Sequence, residues 1–233
     1  MDGNNQIDPE AAVIIVVSSV GSIIGVITLL FFMSNAFYNF NCWFFVISLL
    51  SQLFCLYIDY KSNKRHTAPK PIQFNPHFHN ALVFACFALT STTSILYIFD
   101  GIILHLYQLS IFFPIKEVKK TLSQLTESKS MKNILNYVEI LVVPELFLWL
   151  IVNHTFGILV SFITYIVLIS MFSYVVSHEA REIWVKIYSI IRKQYRNNTG
   201  VLKSIFEVIV SICDFFSNAS HQLYKAPPLK TVF

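Results

Sequence analysis

Charge is what this chain has least of. Only 13% of its 233 residues are Asp, Glu, Lys or Arg, about half the share in an ordinary soluble domain. Hydrophobic residues make up 55%, and Phe alone supplies 22 positions. So short a chain has too little interior to hide that much apolar surface, which argues against a soluble fold. Cysteine is also scarce. Cys42, Cys55 and Cys86 lie in apolar runs, Cys213 stands apart, and no two form a C-x-x-C pair. They read as small buried hydrophobes, not as a disulfide framework or a metal site. No basic residue precedes Lys61. A cleavable signal peptide opens with a positive region, so the first apolar stretch is expected to stay in place as a span.

Catalytic signatures are missing too. The sequence contains no H-E-x-x-H, no G-x-S-x-G, no P-loop and no histidine box. His77-Phe78-His79 has no third ligand at a useful spacing, so metal binding is not expected. The reading is of a non-enzyme with no cofactor, no metal and no catalytic residue. The basic segments are short and separated by apolar runs, which gives no footprint for nucleic acid.

Long apolar runs dominate what remains. Residues 11–33 carry no charge over 23 positions, enough for a helix to cross about 30 Å of hydrocarbon. Gly21 and Gly25 form a G-x-x-x-G spacing beside Ser18 and Ser22, a pattern that lets helix backbones approach. After an uncharged turn at 34–41, a second run covers 42–60, with Trp43 and Tyr60 as interface anchors. A polar linker at 61–80 holds Pro69, Pro71 and Pro76, which disfavour a helix there. The third run, 81–113, is long for one span and short for two. Its middle, Thr90 to Ser94, consists of small hydroxyl residues. It reads as one hairpin or one kinked helix. Residues 115–132 are polar. Spans at 134–152, broken by Pro144, and 156–176 follow. The expected fold is all-α: a polytopic membrane domain of helical hairpins at 11–178, behind an acidic N-terminus at 1–10.

The 17 lysines and arginines occupy four places: 61–70, 116–132, 181–203, and Lys225 with Lys230. The turns at 34–41, 90–94 and 153–155 contain none. If the apolar runs fold back in pairs, the basic segments share one side, and the positive-inside rule makes that side cytosolic. Both termini are then cytosolic. Of three N-glycosylation sequons, Asn153 lies too near the membrane to be an acceptor, and Asn197 and Asn218 fall on the cytosolic side.

Beyond the last span the period changes. Ile183, Trp184, Ile187, Tyr188 and Ile191 fall on one helical stripe, and Lys186, Arg192, Lys193 and Arg196 lie on the other face. A break at 197–200 precedes a second amphipathic stretch with Ile205, Phe206, Ile209 and Phe216, and with Lys203 among its polar positions. These helices, at 179–217, are expected to lie in the headgroup region or to dock on a partner. Their apolar residues would insert, and the five basic residues would meet anionic lipid. The tail, 218–233, is expected to be unstructured. Asp100, His105, Glu139 and Glu145 fall inside apolar runs. Such residues are functional candidates by default, and Asp100 with Glu145 would suit a proton or cation transporter.

In serial order, several short motifs resemble the transmembrane-protein-33 family of the endoplasmic reticulum, which includes fungal pore-membrane and tetra-spanning proteins. Ile102-Ile103-Leu104-His105 is similar to the end of that family's third span. Asn133-Ile134-Leu135 is similar to the opening of its next span, and Glu145-Leu146-Phe147-Leu148 resembles a motif within it. The resemblance implies an organiser of the endoplasmic reticulum and nuclear envelope that shapes membrane and distributes nuclear pores. It implies reticulon-type membrane proteins, nuclear pore components or importins as partners beside the lipid bilayer. An accessory subunit of a larger membrane complex is the alternative reading, and the transporter is the third.

Overall fold

A computed structural model describes residues 8–31, 37–63, 75–170 and 178–224, and these are helical apart from short connections. The chain divides into two compact units, Met1–Leu168 and Ile169–Phe233. The first contains α1 (Pro9–Leu30), α2 (Phe37–Asn63), α3 (Pro76–Thr90), α4 (Ile95–Phe112), α5 (Lys116–Thr126), α6 (Lys129–Asn153) and α7 (Phe156–Tyr165). A π-helical turn, Ile166–Ser170, continues α7. The second unit contains α8 (His178–Asn197) and α9 (Gly200–Tyr224). Pro9–Leu30, Phe40–Ser62, Ile95–Phe112 and Lys129–Asn153 are long and apolar enough to cross a bilayer. The chain is an all-α, polytopic, integral membrane protein.

Helix starts follow local chemistry. Asp8, Asn75, Ser94, Ser128 and Thr155 each precede a helix and accept a backbone N–H of its first turn, satisfying a donor that the helix itself leaves orphaned. Pro9 and Pro76 stand in the first turn of α1 and α3, where a missing N–H costs nothing. Pro76 therefore opens a helix inside the segment whose prolines argue against one. The residues at 64–74 of that linker lie outside the described residues. Pro144 does not break the fourth run: α6 is continuous through it from Lys129 to Asn153. Neighbouring helices and local adjustments tolerate such a proline in an apolar span.

Three more boundaries differ from the sequence reading. α2 begins at Phe37, inside the expected turn at 34–41, where Phe37, Tyr38 and Phe40 continue into the apolar run despite the asparagines between them. The polar segment 115–132 holds α5 and the start of α6, since its apolar residues recur at helical spacing. α9 runs to Tyr224, into the segment expected to be unstructured. The remainder of that tail, the residues at 171–176 of the fifth run and residues 1–7 lie outside the described residues.

The side-chain register gives the direction of each helix. Gln52 meets His77, Phe45 meets Phe87 and Asn41 meets Thr92, so α3 runs antiparallel to α2. Ser48 meets His105 and Ser51 meets Gln108, so α4 runs parallel to α2. The run 81–113 is therefore a hairpin, reversing at Ser91 to Ser94, with Ser91 in the left-handed region at φ 50°. Its arms meet through rings: Tyr97 lies 5.1 Å from Phe84 and 5.0 Å from Phe87. Glu145 reaches Ile95 across α4 and α6, and Phe147 faces Phe162 across α6 and α7. Helices α1 to α4, α6 and α7 thus alternate in direction. Lys61, Glu10, α5 and the start of α6 share one end of this unit. The connections at 91–94 and 154–155 share the other.

Gly21 and Gly25 face α4. A Cβ at Gly21 would overlap the His105 ring, and one at Gly25 would lie 2.5 Å from Ile102 Cγ1. Gly21→Leu is expected to destabilise the purified protein by about 1–3 kcal/mol through overpacking. Val16→Leu, on an exposed position of the same helix, should leave the thermal midpoint unchanged. Equal midpoints for the two variants would refute the close seam.

Candidate functional site

Three sets of polar groups are built into the first unit, and each uses residues from different helices. The first surrounds His105, which is buried between α1, α2 and α4. Gln108 Oε1 accepts from Ser18 at 2.9 Å and Ser51 at 2.6 Å, and Gln108 Nε2 donates to Cys55 Sγ at 3.2 Å. His105 Nδ1 lies 3.3 Å from the same Gln108 oxygen. A carbonyl oxygen only accepts, so Nδ1 carries the ring proton, and Nε2 accepts from Ser48 at 2.9 Å. Every member is paired, so the cluster binds helices together. Such bonds contribute about 0.6 kcal/mol each in membranes, up to ~1.7.

The second set lies at the opposite end of α4. Glu145 accepts from Ser94 Oγ at 2.7 Å, from the Ile95 N–H at 2.7 Å and from the Leu96 N–H at 3.3 Å. A carboxylate there meets the positive end of the helix dipole and orphaned N–H groups together. Next to it, Thr90, Thr92 and Ser161 share contacts of 2.7–2.8 Å across α3 and α7. Gly157 admits Thr90 at this crossing, where an added Cβ would lie 3.2 Å from Thr90 Cβ.

The third set is a groove of about 440 Å³ between α4, α5 and α6, edged by Asn80 of α3. Asp100 and Glu139 lie along it, with Lys132, Glu127, Thr126 and Tyr107 toward the basic end. Tyr165 donates to the Glu139 backbone oxygen at 3.0 Å. The structure thus brings Asp100 to Glu139, not to Glu145. Glu145 caps α4 instead. Among the described residues, no group of three or more His, Cys, Asp and Glu side chains is placed to hold a metal ion.

The second unit carries the remaining candidates. Tyr188 is buried against Trp184, Val185, Val210 and Cys213, and its hydroxyl donates to Asp214 at 2.7 Å. Burial first, and then Asp214, push the Tyr188 phenol up to about 12. Burial and Asp214 likewise push the Cys213 thiol up to about 11. Ile183 is buried as well; Ile187 and Ile191 are half-buried. The stripe assigned to membrane contact thus contains two buried residues, one of which, Tyr188, joins α8 to α9. Ile205 is exposed, and Phe206 and Ile209 are half-buried; the Phe216 side chain lies outside the described residues. Lys186, Lys193, Arg196 and Lys203 are exposed, while Arg192 is half-buried with its guanidinium 5.8 Å from the Tyr188 ring.

Sequence reasoning noted Ser18 but missed Gln108 and the α2 residues that join it. Ser48, Ser51, Gln52 and Cys55 stand at i, i+3, i+4 and i+7 inside an apolar run, a polar stripe that marks an inward face. Lys132 and Tyr107 carried no such signal, because only the packing of α4 on α6 makes them neighbours of the acids. Comparison with protein-family models, curated proteins and solved structures finds no match.

Two measurements test these placements. Glu145→Leu leaves the Ser94, Ile95 and Leu96 donors without their acceptor and is expected to cost about 1–3 kcal/mol. Glu145→Gln, which keeps one oxygen, should fall between it and the unaltered protein in thermal midpoint. A Glu145→Leu midpoint equal to the unaltered one would show that the cap is dispensable. For Tyr188, the raised pKa favours the neutral phenol in the folded state. Its contribution is complete below about pH 10, the unfolded value, and is lost as pH rises through about 12. The phenolate absorbance lost in Tyr188→Phe should be that of a late-titrating tyrosine; a difference curve centred near about pH 10, the ordinary value, would contradict the Asp214 bond.

Proposed function

We propose that this protein is a membrane organiser that loads one leaflet with its C-terminal helical hairpin. The supporting observation is the second face of α9. One side packs on α8 through Val210 and Cys213. The other presents Val201, Ile205, Val208 and Phe215, exposed by 77, 49, 59 and 68%. Spacings of four, three and seven residues put these side chains within one helical stripe. The same hairpin exposes Lys186, Lys193, Arg196 and Lys203. An apolar stripe with basic companions suits insertion at the headgroup level of an anionic leaflet, each basic residue contributing about 1 kcal/mol. Insertion in one leaflet expands it relative to the other and favours curvature.

The one-sided distribution of lysine in the first unit supports the same reading. Lys61 and the 116–132 segment share one end, and the positive-inside rule makes that end cytosolic. The endoplasmic reticulum and nuclear envelope as location, and reticulon-type proteins, pore components or importins as partners, belong to the proposal through the family resemblance alone.

The full-length protein should be reconstituted in liposomes containing about a third anionic lipid and viewed by electron microscopy. The unaltered protein is expected to draw vesicles into tubules or small high-curvature forms. Ile205→Glu with Val208→Glu should abolish this while leaving the thermal midpoint intact, since both positions are exposed. Equal remodelling by both proteins, or none by either, would overturn the reading. Loss of a stoichiometric partner as the only effect of the double substitution would favour the accessory subunit instead.

A further inference from the structure

Helix α5 joins two spans by short links, and its surface is divided by chemistry. We propose that it is an interfacial helix lying in the headgroup layer of an anionic leaflet, with Ile115, Val118 and Leu125 on acyl chains and its lysines among the headgroups.

Its depth is set by its neighbours. Both α4 and α6 are long and apolar enough to span a bilayer. α4 has 18 residues and is about 27 Å long, which matches the ~30 Å hydrocarbon layer. The end of α4 therefore lies at the hydrocarbon boundary. Residues 113–115 separate that end from α5, and residues 127–128 separate α5 from α6. α5 does not stand out into water. Thr126, at its C-terminus, is buried and borders the same groove as Tyr107, which precedes the last turn of α4. Lys119 Nζ, nearer its start, donates to Ile111 O at 2.8 Å. These two contacts hold α5 at the level of the final turns of α4.

The roll of the helix follows from the same contacts. At about 100° per residue, Ile115, Val118, Leu122 and Leu125 fall in one sector about 80° wide, to one side of Lys119 and Thr126. Lys116 and Lys120 fall to the other side. Ile115, Val118 and Leu125 are exposed by 52, 37 and 46%. At this depth the acyl chains of the leaflet are what such a sector meets.

Charge complementarity names the leaflet. Residues 116–132 hold five lysines against Glu117 and Glu127, so positive charge is in excess. Lys116, Lys120, Lys129 and Lys132 are exposed. Among the described residues none of these four pairs with a carboxylate, so their charge is left for an external partner. A lysine cluster beside a span recognises anionic headgroups, and the flexible stems carry each ammonium to headgroup level. An acidic peptide would satisfy the lysines alone, whereas an anionic leaflet satisfies both sectors together. This contact is independent of the C-terminal hairpin and would persist if that hairpin docked on a protein.

Full-length protein should be placed in nanodiscs of phosphatidylcholine alone, and of phosphatidylcholine with phosphatidylserine, and hydrogen exchange followed in peptides covering 116–126. The α5 amides are expected to exchange at least about tenfold more slowly in the anionic discs. Lys116→Gln with Lys120→Gln should cancel most of that difference and leave the thermal midpoint in detergent unchanged, since both positions are exposed. Val118→Glu with Leu125→Glu should speed α5 exchange in both discs. Peptides from α8 and α9, read in the same experiment, report on the hairpin separately. Equal α5 exchange of the unaltered protein in the two discs would overturn the proposal. A lysine double variant that keeps the full difference, or a glutamate double variant that exchanges like the unaltered protein, would do the same.

Discussion

In a bilayer, helices gain nothing from leaving water, so their association depends on close packing and on hydrogen bonds with no competing solvent. The seam between α1 and α4 supplies both. Gly21 and Gly25 lower the surface of α1 so that His105 and Ile102 lie against its backbone. That approach brings Ser18 within 2.9 Å of Gln108. Helix α2 closes the third side with Ser48, Ser51 and Cys55. A larger residue at Gly21 would separate the donors and acceptors as well as the side chains, so packing and hydrogen bonding here fail together.

The opposite end of α4 is held by charge. The hairpin between α3 and α4 reverses through four residues, which exposes the first N–H groups of α4 where lipid or headgroup would offer no steady acceptor. Glu145 fills that place from α6. With its two ends fixed by different chemistry, α4 becomes the common element of the unit. It touches α1, α2, α5 and α6, and it places Asp100 in the groove facing Glu139. The groove exists because α5 separates the end of α4 from the start of α6 by one short helix.

The second unit solves a different problem. Two amphipathic helices can each lie on a membrane, or they can bury their faces in one another. Here they do the latter in part, through Tyr188 and its bond to Asp214. Helix α9 has apolar residues in excess of what α8 covers, and the excess forms the exposed stripe. A buried polar bond in so small a hairpin fixes which faces meet, and therefore which face is left over.

Much of this was legible from residues alone. Run lengths and the placement of lysine and arginine give an all-α polytopic chain, because hydrocarbon thickness sets span length and charge avoids hydrocarbon. Gly21 and Gly25 mark a close contact by their spacing, though not its partner. Capping residues such as Ser94, Ser128 and Thr155 act within their own turns, so they were available locally. What only the tertiary structure decided is pairing: His105 with Ser48, Gln108 with Ser18 and Ser51, Glu145 with the start of α4, Asp100 with Glu139, and Tyr188 with Asp214. Each joins residues far apart in sequence. Sequence periodicity sets which face of a helix is special, but the angle and register of its neighbour set what that face meets.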